Sequence, residues 1–125
     1  MDKNLPVGVI DSGVGGLSVL KVLQQALPHE DFLYMGDTAR TPYGQRPEKE
    51  IRTMVHDLTD YLDNAGIKLL VVACNTITVL GTESIRNGYA FDVVGMSKGA
   101  ELALGVTKNK KIGVMATPFT VASGA

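Results

Sequence analysis

The chain has 125 residues, 45% hydrophobic and 20% charged, which suits one globular domain with a core of its own and excludes a disordered segment. Twelve basic residues against thirteen acidic give a net charge of −1, so no nucleic-acid partner is expected, and no apolar run approaches membrane-spanning length. One cysteine can form neither an internal disulfide nor a multi-thiolate metal site, and Met1-Asp2-Lys3-Asn4 has no signal-peptide pattern, so a reducing cytoplasm is the expected location.

Short apolar runs alternate with helical patterns, which predicts an α/β fold with a parallel sheet and flanking helices. Val7-Gly8-Val9-Ile10 reads as the first strand, ending at Asp11-Ser12-Gly13-Val14-Gly15-Gly16. A helix follows, with Val19, Leu20, Val22, Leu23, Ala26 and Leu27 on a broad apolar stripe that Pro28 stops. A second strand over 31–35 runs into Gly36-Asp37-Thr38-Ala39-Arg40-Thr41-Pro42-Tyr43-Gly44.

Pro47 opens the next helix, with Glu48 and Glu50 complementing the dipole of its first turn. Ile51, Met54, Val55, Leu58, Tyr61 and Leu62 recur at three- and four-residue spacing, and Asn64-Ala65-Gly66 ends the pattern. The third strand, over 68–73, is apolar after its first residue, as a strand covered on both faces should be. The spacing then predicts one helix over 76–86, a strand over 91–95, a helix over 99–107 and a strand over 111–116. Lys108-Asn109-Lys110-Lys111 reads as a solvated turn, and His29 and His56, far from any metal-ligand spacing, as surface residues; no metal is expected. The stop at Val121-Ala122-Ser123-Gly124-Ala125, just inside another helix, suggests a fragment.

Ligands of open parallel sheets bind beyond the carboxyl ends of the strands. Four such ends carry polar residues: Asp11-Ser12, Asp37-Thr38, Cys74-Asn75-Thr76, and Thr117 with Thr120. Cys74 stands where a strand ends and a helix begins; thiolate is the reactive form of cysteine, and a helix start offers free N–H groups. Asp11-Ser12 precedes a glycine-rich turn suited to an anionic group, although no Walker or GxGxxG pattern is present. Plainer roles compete at each position. Ser12 or Ser18 can simply cap the helix, Asp37 can anchor its loop, Pro42-Tyr43-Gly44 can be only a turn, and Cys74 can be a small buried hydrophobe.

Together, Val9-Ile10-Asp11-Ser12-Gly13-Val14-Gly15-Gly16-Leu17, the 36–44 segment, Val72-Ala73-Cys74-Asn75-Thr76 and Ile112-Gly113-Val114-Met115-Ala116-Thr117 resemble glutamate racemase, of the aspartate/glutamate racemase superfamily. The resemblance implies two α/β lobes facing across a cleft, each giving a cysteine, and racemisation of L-glutamate to D-glutamate without cofactor, for peptidoglycan synthesis. It implies that Cys74 is the first-lobe acid/base, supported by Asp11 as a neighbouring acid or hydrogen-bond partner. Ser12, Pro42, Tyr43, Gly44, Asn75, Thr76, Thr117 and Thr120 would line the substrate site.

The family's second cysteine, in a later Cys-Thr-His segment, is not among these residues, and Gly95-Met96-Ser97-Lys98-Gly99 replaces an acidic residue followed by proline. By the same resemblance residues 1–96 form the first lobe without its C-terminal elements, and 97–125 begin the second. Alternative readings are an aspartate or broader amino-acid racemase and a non-catalytic amino-acid-binding domain. Neither membrane nor nucleic acid is an expected partner, and a homodimer is a possible assembly.

Overall fold

Four parallel strands lie in the order β2-β1-β3-β4, with β1 Val7–Asp11, β2 Phe32–Gly36, β3 Leu69–Val72 and β4 Asp92–Val94. The coordinates are a computed structural model that describes residues 2–96 and 99–124. The helices are α1 Gly16–Ala26, α2 Glu48–Ala65, α3 Asn75–Leu80, α4 Glu83–Gly88, α5 Ala100–Val106 and α6 Pro118–Ser123. The expected α/β class and parallel sheet are therefore present, and none of the described helices is long and apolar enough to cross a membrane.

Strand alternation divides the core into two layers. Ile10, Leu70 and Val72 face α2 and pack with Ile51, Met54, Val55, Leu58 and Leu62 of the predicted stripe, whereas Tyr61, expected on the same face, turns to solvent at 64% exposed. Val7, Val9, Val71 and Ala73 face the other way and meet Val19, Leu20 and Leu23 of α1. α2 matches its sequence signals closely: Glu48 and Glu50 occupy the first turn, and Gly66 closes the helix at φ +84°, a backbone that side chains rarely adopt.

The structure corrects four further expectations. The helix over 76–86 is two short helices, α3 and α4, because Gly81 takes φ +111° and interrupts the ladder between them. Residues 111–116 form no strand; a strand needs a hydrogen-bonding neighbour, and none of the described residues pairs with this segment. The stripe of α1 is only partly covered, with Val22 62% and Leu27 43% exposed. His56 is half-buried, its ring stacked on Tyr89, while His29 is exposed as expected. Ser97 and Lys98, within the Gly95-Met96-Ser97-Lys98-Gly99 segment, lie outside the described residues.

Leu102, Val106, Val114 and Met115 are each at least 72% exposed, a large apolar display for a small chain. The purified 125-residue polypeptide is expected to self-associate or to melt at low temperature. Sedimentation velocity with thermal unfolding checks this; a monomer melting sharply above about 65 °C would contradict it.

Candidate functional site

From β1 the chain passes through α1 to β2 on one side, then returns through α2 to β3 on the other. The connections leaving β1 and β3 therefore part to opposite faces, which opens a crevice between the carboxyl ends of these two strands. Asp11-Ser12 and Cys74-Asn75-Thr76 stand at that crevice, as their strand-end positions predict.

Cys74 precedes the first residue of α3 and is buried, 7% exposed. Its carbonyl accepts the Thr78 N–H at 3.0 Å and the Thr78 hydroxyl at 2.8 Å, which fixes the strand-to-helix turn. The Cys74 thiol donates to Ser12 Oγ at 3.4 Å. By alternation Cys74 shares the α2 face with Val72, and Ser12 follows Ile10 onto that face.

Asp11 points instead toward α1. Its carboxylate accepts the N–H of Ser12 at 2.8 Å and of Gly16 at 2.6 Å, and the Tyr34 hydroxyl at 3.3 Å. The cap considered for Ser12 or Ser18 thus falls to Asp11, which takes a free N–H at the start of α1; Ser18 Oγ donates to the Gly15 carbonyl. The side-chain partner of Cys74 is therefore Ser12, whose Oγ accepts from the thiol, with Asp11 behind Ser12.

The loop after β2 is tied from several sides. Asp37 N–H donates to the Asp11 carbonyl at 3.0 Å. The Asp37 carboxylate accepts the Tyr43 hydroxyl and, at 2.6 Å, Arg40 Nε. Arg40 Nη1 reaches Asp57 of α2 at 2.7 Å, and Arg46 donates to the Arg40 carbonyl at 2.8 Å. Tyr43 is 1% exposed, so its side chain shapes the loop from inside, whereas Pro42, after a cis peptide bond, is exposed.

Gly44 meets the start of α6. Its carbonyl accepts the Phe119 N–H at 2.9 Å, and a Cβ built on it would lie 2.3 Å from Thr117 Cβ. Only glycine allows this approach. Gly44→Ala is expected to cost about 1–3 kcal/mol of stability through forced displacement of α6. Urea unfolding checks it, and an unchanged midpoint would contradict the close contact.

Thr117 Oγ1 lies 2.8 Å from Thr76 Oγ1 and 3.2 Å from Thr120 Oγ1, a cluster of neutral donors and acceptors joined to the chain two residues after Cys74. Asn75, the first residue of α3, is exposed. The structure so joins Cys74 with Ser12, and Thr76 with Thr117, Thr120 and Gly44, while Asp11 and the Tyr43 side chain act from behind. A shallow depression lined by Arg40, Pro47, Lys49, Glu50, Thr53 and Met54 shares none of these residues.

Sequence reasoning missed Tyr34 and Arg40. Tyr34 donates to Asp11 and approaches the Gly13 carbonyl at 3.2 Å; the only signal was a phenol two residues before the end of an apolar strand. Burial first, then the Asp11 charge and hydrogen bond, raises the Tyr34 phenol from 10.0 to about 12. A phenol that holds its proton more tightly when folded stabilises the fold below pH 10, and that contribution disappears as pH rises toward 12. Stability in urea is expected to fall across this window and to fall less steeply in Tyr34→Phe. Parallel pH profiles of the two proteins would refute the assignment.

No protein-family model matches the chain. It is 46% identical over 123 residues to a glutamate racemase of Exiguobacterium sibiricum, a match covering 98% of this chain and 45% of the relative. Among solved structures, glutamate racemase from Thermus thermophilus, in complex with β-chloro-D-alanine, superposes with a TM-score of 0.85 at 41% identity, over 99% of this chain and 48% of that one. Glutamate racemase from Francisella tularensis, in complex with D-glutamate, gives 0.84 at 35% identity, over 98% and 46%. The chain thus spans slightly less than half the length of the relatives it matches.

Proposed function

Because the chain is a homologue of the glutamate racemases, corresponding to an N-terminal portion of about 46% of their length, we propose that it carries one half of a cofactor-independent, two-thiol active site for glutamate. The observation that carries this reading is the meeting of Cys74, Ser12 and the Thr76–Thr117 pair at the crevice between β1 and β3.

Cys74, as thiolate, removes the α-proton of glutamate and becomes the thiol. The electron pair left on the α-carbon delocalises into the adjacent carboxylate, whose developing charge needs preorganised donors. The hydroxyls of Ser12, Thr76, Thr117 and Thr120 and the amide of Asn75 are the donors within this chain, and Pro42, Tyr43 and Gly44 belong to the loop that packs against Thr117. A second thiol, from the family's later Cys-Thr-His segment, then protonates the other face. Asp11 supports this arrangement by holding Ser12. Residues 1–96 are read as the first lobe and 97–125 as the beginning of the second, the reaction serving cell-wall precursor synthesis in the cytoplasm.

The test is incubation of the 125-residue protein with L-glutamate in D2O. Exchange of the α-proton supports Cys74 as a base, and appearance of D-glutamate requires a second acid. A further reading is a domain that binds an amino acid without turning it over, with the Cys74 thiol, buried and hydrogen-bonded to Ser12 Oγ, serving as a packing group. Saturable glutamate binding with no exchange would select that reading. Faster exchange with aspartate would move the substrate assignment.

A further inference from the structure

We propose that Asp37 is a positioning residue whose carboxylate, by holding the Tyr43 hydroxyl and the Arg40 guanidinium together, fixes Gly44 against Thr117 and so seats the threonine cluster beside Cys74. Nothing in the two carboxylate contacts touches the crevice directly. Their effect is carried by packing: Tyr43 is among the largest fully buried side chains, and the next residue in the chain is Gly44. Gly44 accepts the Phe119 N–H and leaves room for Thr117, which in turn meets Thr76.

Asp37 is itself 7% exposed, and a buried carboxylate needs its partners. Arg40 supplies one and also spans to Asp57, so that the loop is referenced to the rigid helix α2. Arg46 holds the Arg40 carbonyl and pairs with Glu50, a second tie to the same helix. Burial, followed by the Asp37 hydrogen bond and charge, keeps the Tyr43 phenol protonated well above its ordinary range, so it remains a donor at every physiological pH. The latch therefore carries the position of α2 to residues that enter the crevice from the far end of the chain. That the crevice serves glutamate rests on the function proposed above.

Backbone amide exchange of the 125-residue protein separates the two claims. Asp37→Ala and Tyr43→Phe are each expected to speed exchange of the Phe119 N–H about tenfold while the Leu58 N–H inside α2 is unaffected. Asp37→Asn keeps an acceptor for the phenol and is expected to restore most of the Phe119 protection. An unchanged Phe119 rate, or equal acceleration at Leu58, would overturn the latch. In the same variants the glutamate concentration that half-protects Cys74 from iodoacetamide is expected to rise about tenfold in Asp37→Ala. Equal protection in wild type and Asp37→Ala would overturn the link to the site. Absence of protection in the wild type would overturn the glutamate reading alone, and Phe119 would still decide the latch.

Discussion

Cys74→Ser is expected to abolish exchange of the glutamate α-proton with D2O, by about a thousandfold or more, with little change in the urea midpoint. An alcohol is a far weaker acid than a thiol, so the serine alkoxide is not populated at neutral pH and the hydroxyl is a poor base. The replacement is close in shape, and serine retains a donor for Ser12 Oγ, now 3.4 Å from the sulfur. The strand-to-helix turn depends on the Cys74 carbonyl and Thr78, which the substitution leaves in place. Time-resolved NMR of the α-proton signal checks this. Exchange at the wild-type rate would remove Cys74 from the chemistry and leave the crevice as a binding site.

Asp11→Ala is expected to have the largest effect on stability, a loss of about 2–4 kcal/mol. The carboxylate is 5% exposed and takes three donors, from Ser12, Gly16 and Tyr34. Alanine would strand the Gly16 N–H, which is buried at the start of α1, and leave the Tyr34 hydroxyl only the Gly13 carbonyl. Asp11→Asn retains one acceptor but turns an amide N–H2 toward one of the two backbone donors, so an intermediate loss is expected. Chemical denaturation of the two variants checks the order. A loss below about 0.5 kcal/mol in Asp11→Ala would mean that Asp11 does not anchor the turn.

Both variants also separate two roles that the linear chain runs together. Asp11 and Ser12 are adjacent, and strand-end position alone makes both candidates for contact with Cys74. Alternation sends them to opposite faces: Asp11 joins Val7 and Val9 on the α1 side, and Ser12 joins Ile10 on the side of Cys74. Tyr34 escaped notice for the same reason. Its relevance depends on β2 pairing with β1 so that Val9 lies beside Tyr34, a register that appears only when the sheet is assembled.

By itself the sequence determined the α/β alternation, the extent of α2 with its acidic first turn and glycine stop, and the junction at which Cys74 stands. These features are written in short-range periodicity and in residues with restricted backbones, which act within a few positions of the chain. The tertiary structure decided the rest. It broke the helix over 76–86 at Gly81, left 111–116 without a strand partner, turned the Tyr43 side chain inward to Asp37, and brought Thr117 to Thr76 across 41 positions. Such outcomes depend on which surfaces meet, and contacts between distant residues form only when burial and hydrogen bonding in the assembled sheet outweigh local preference.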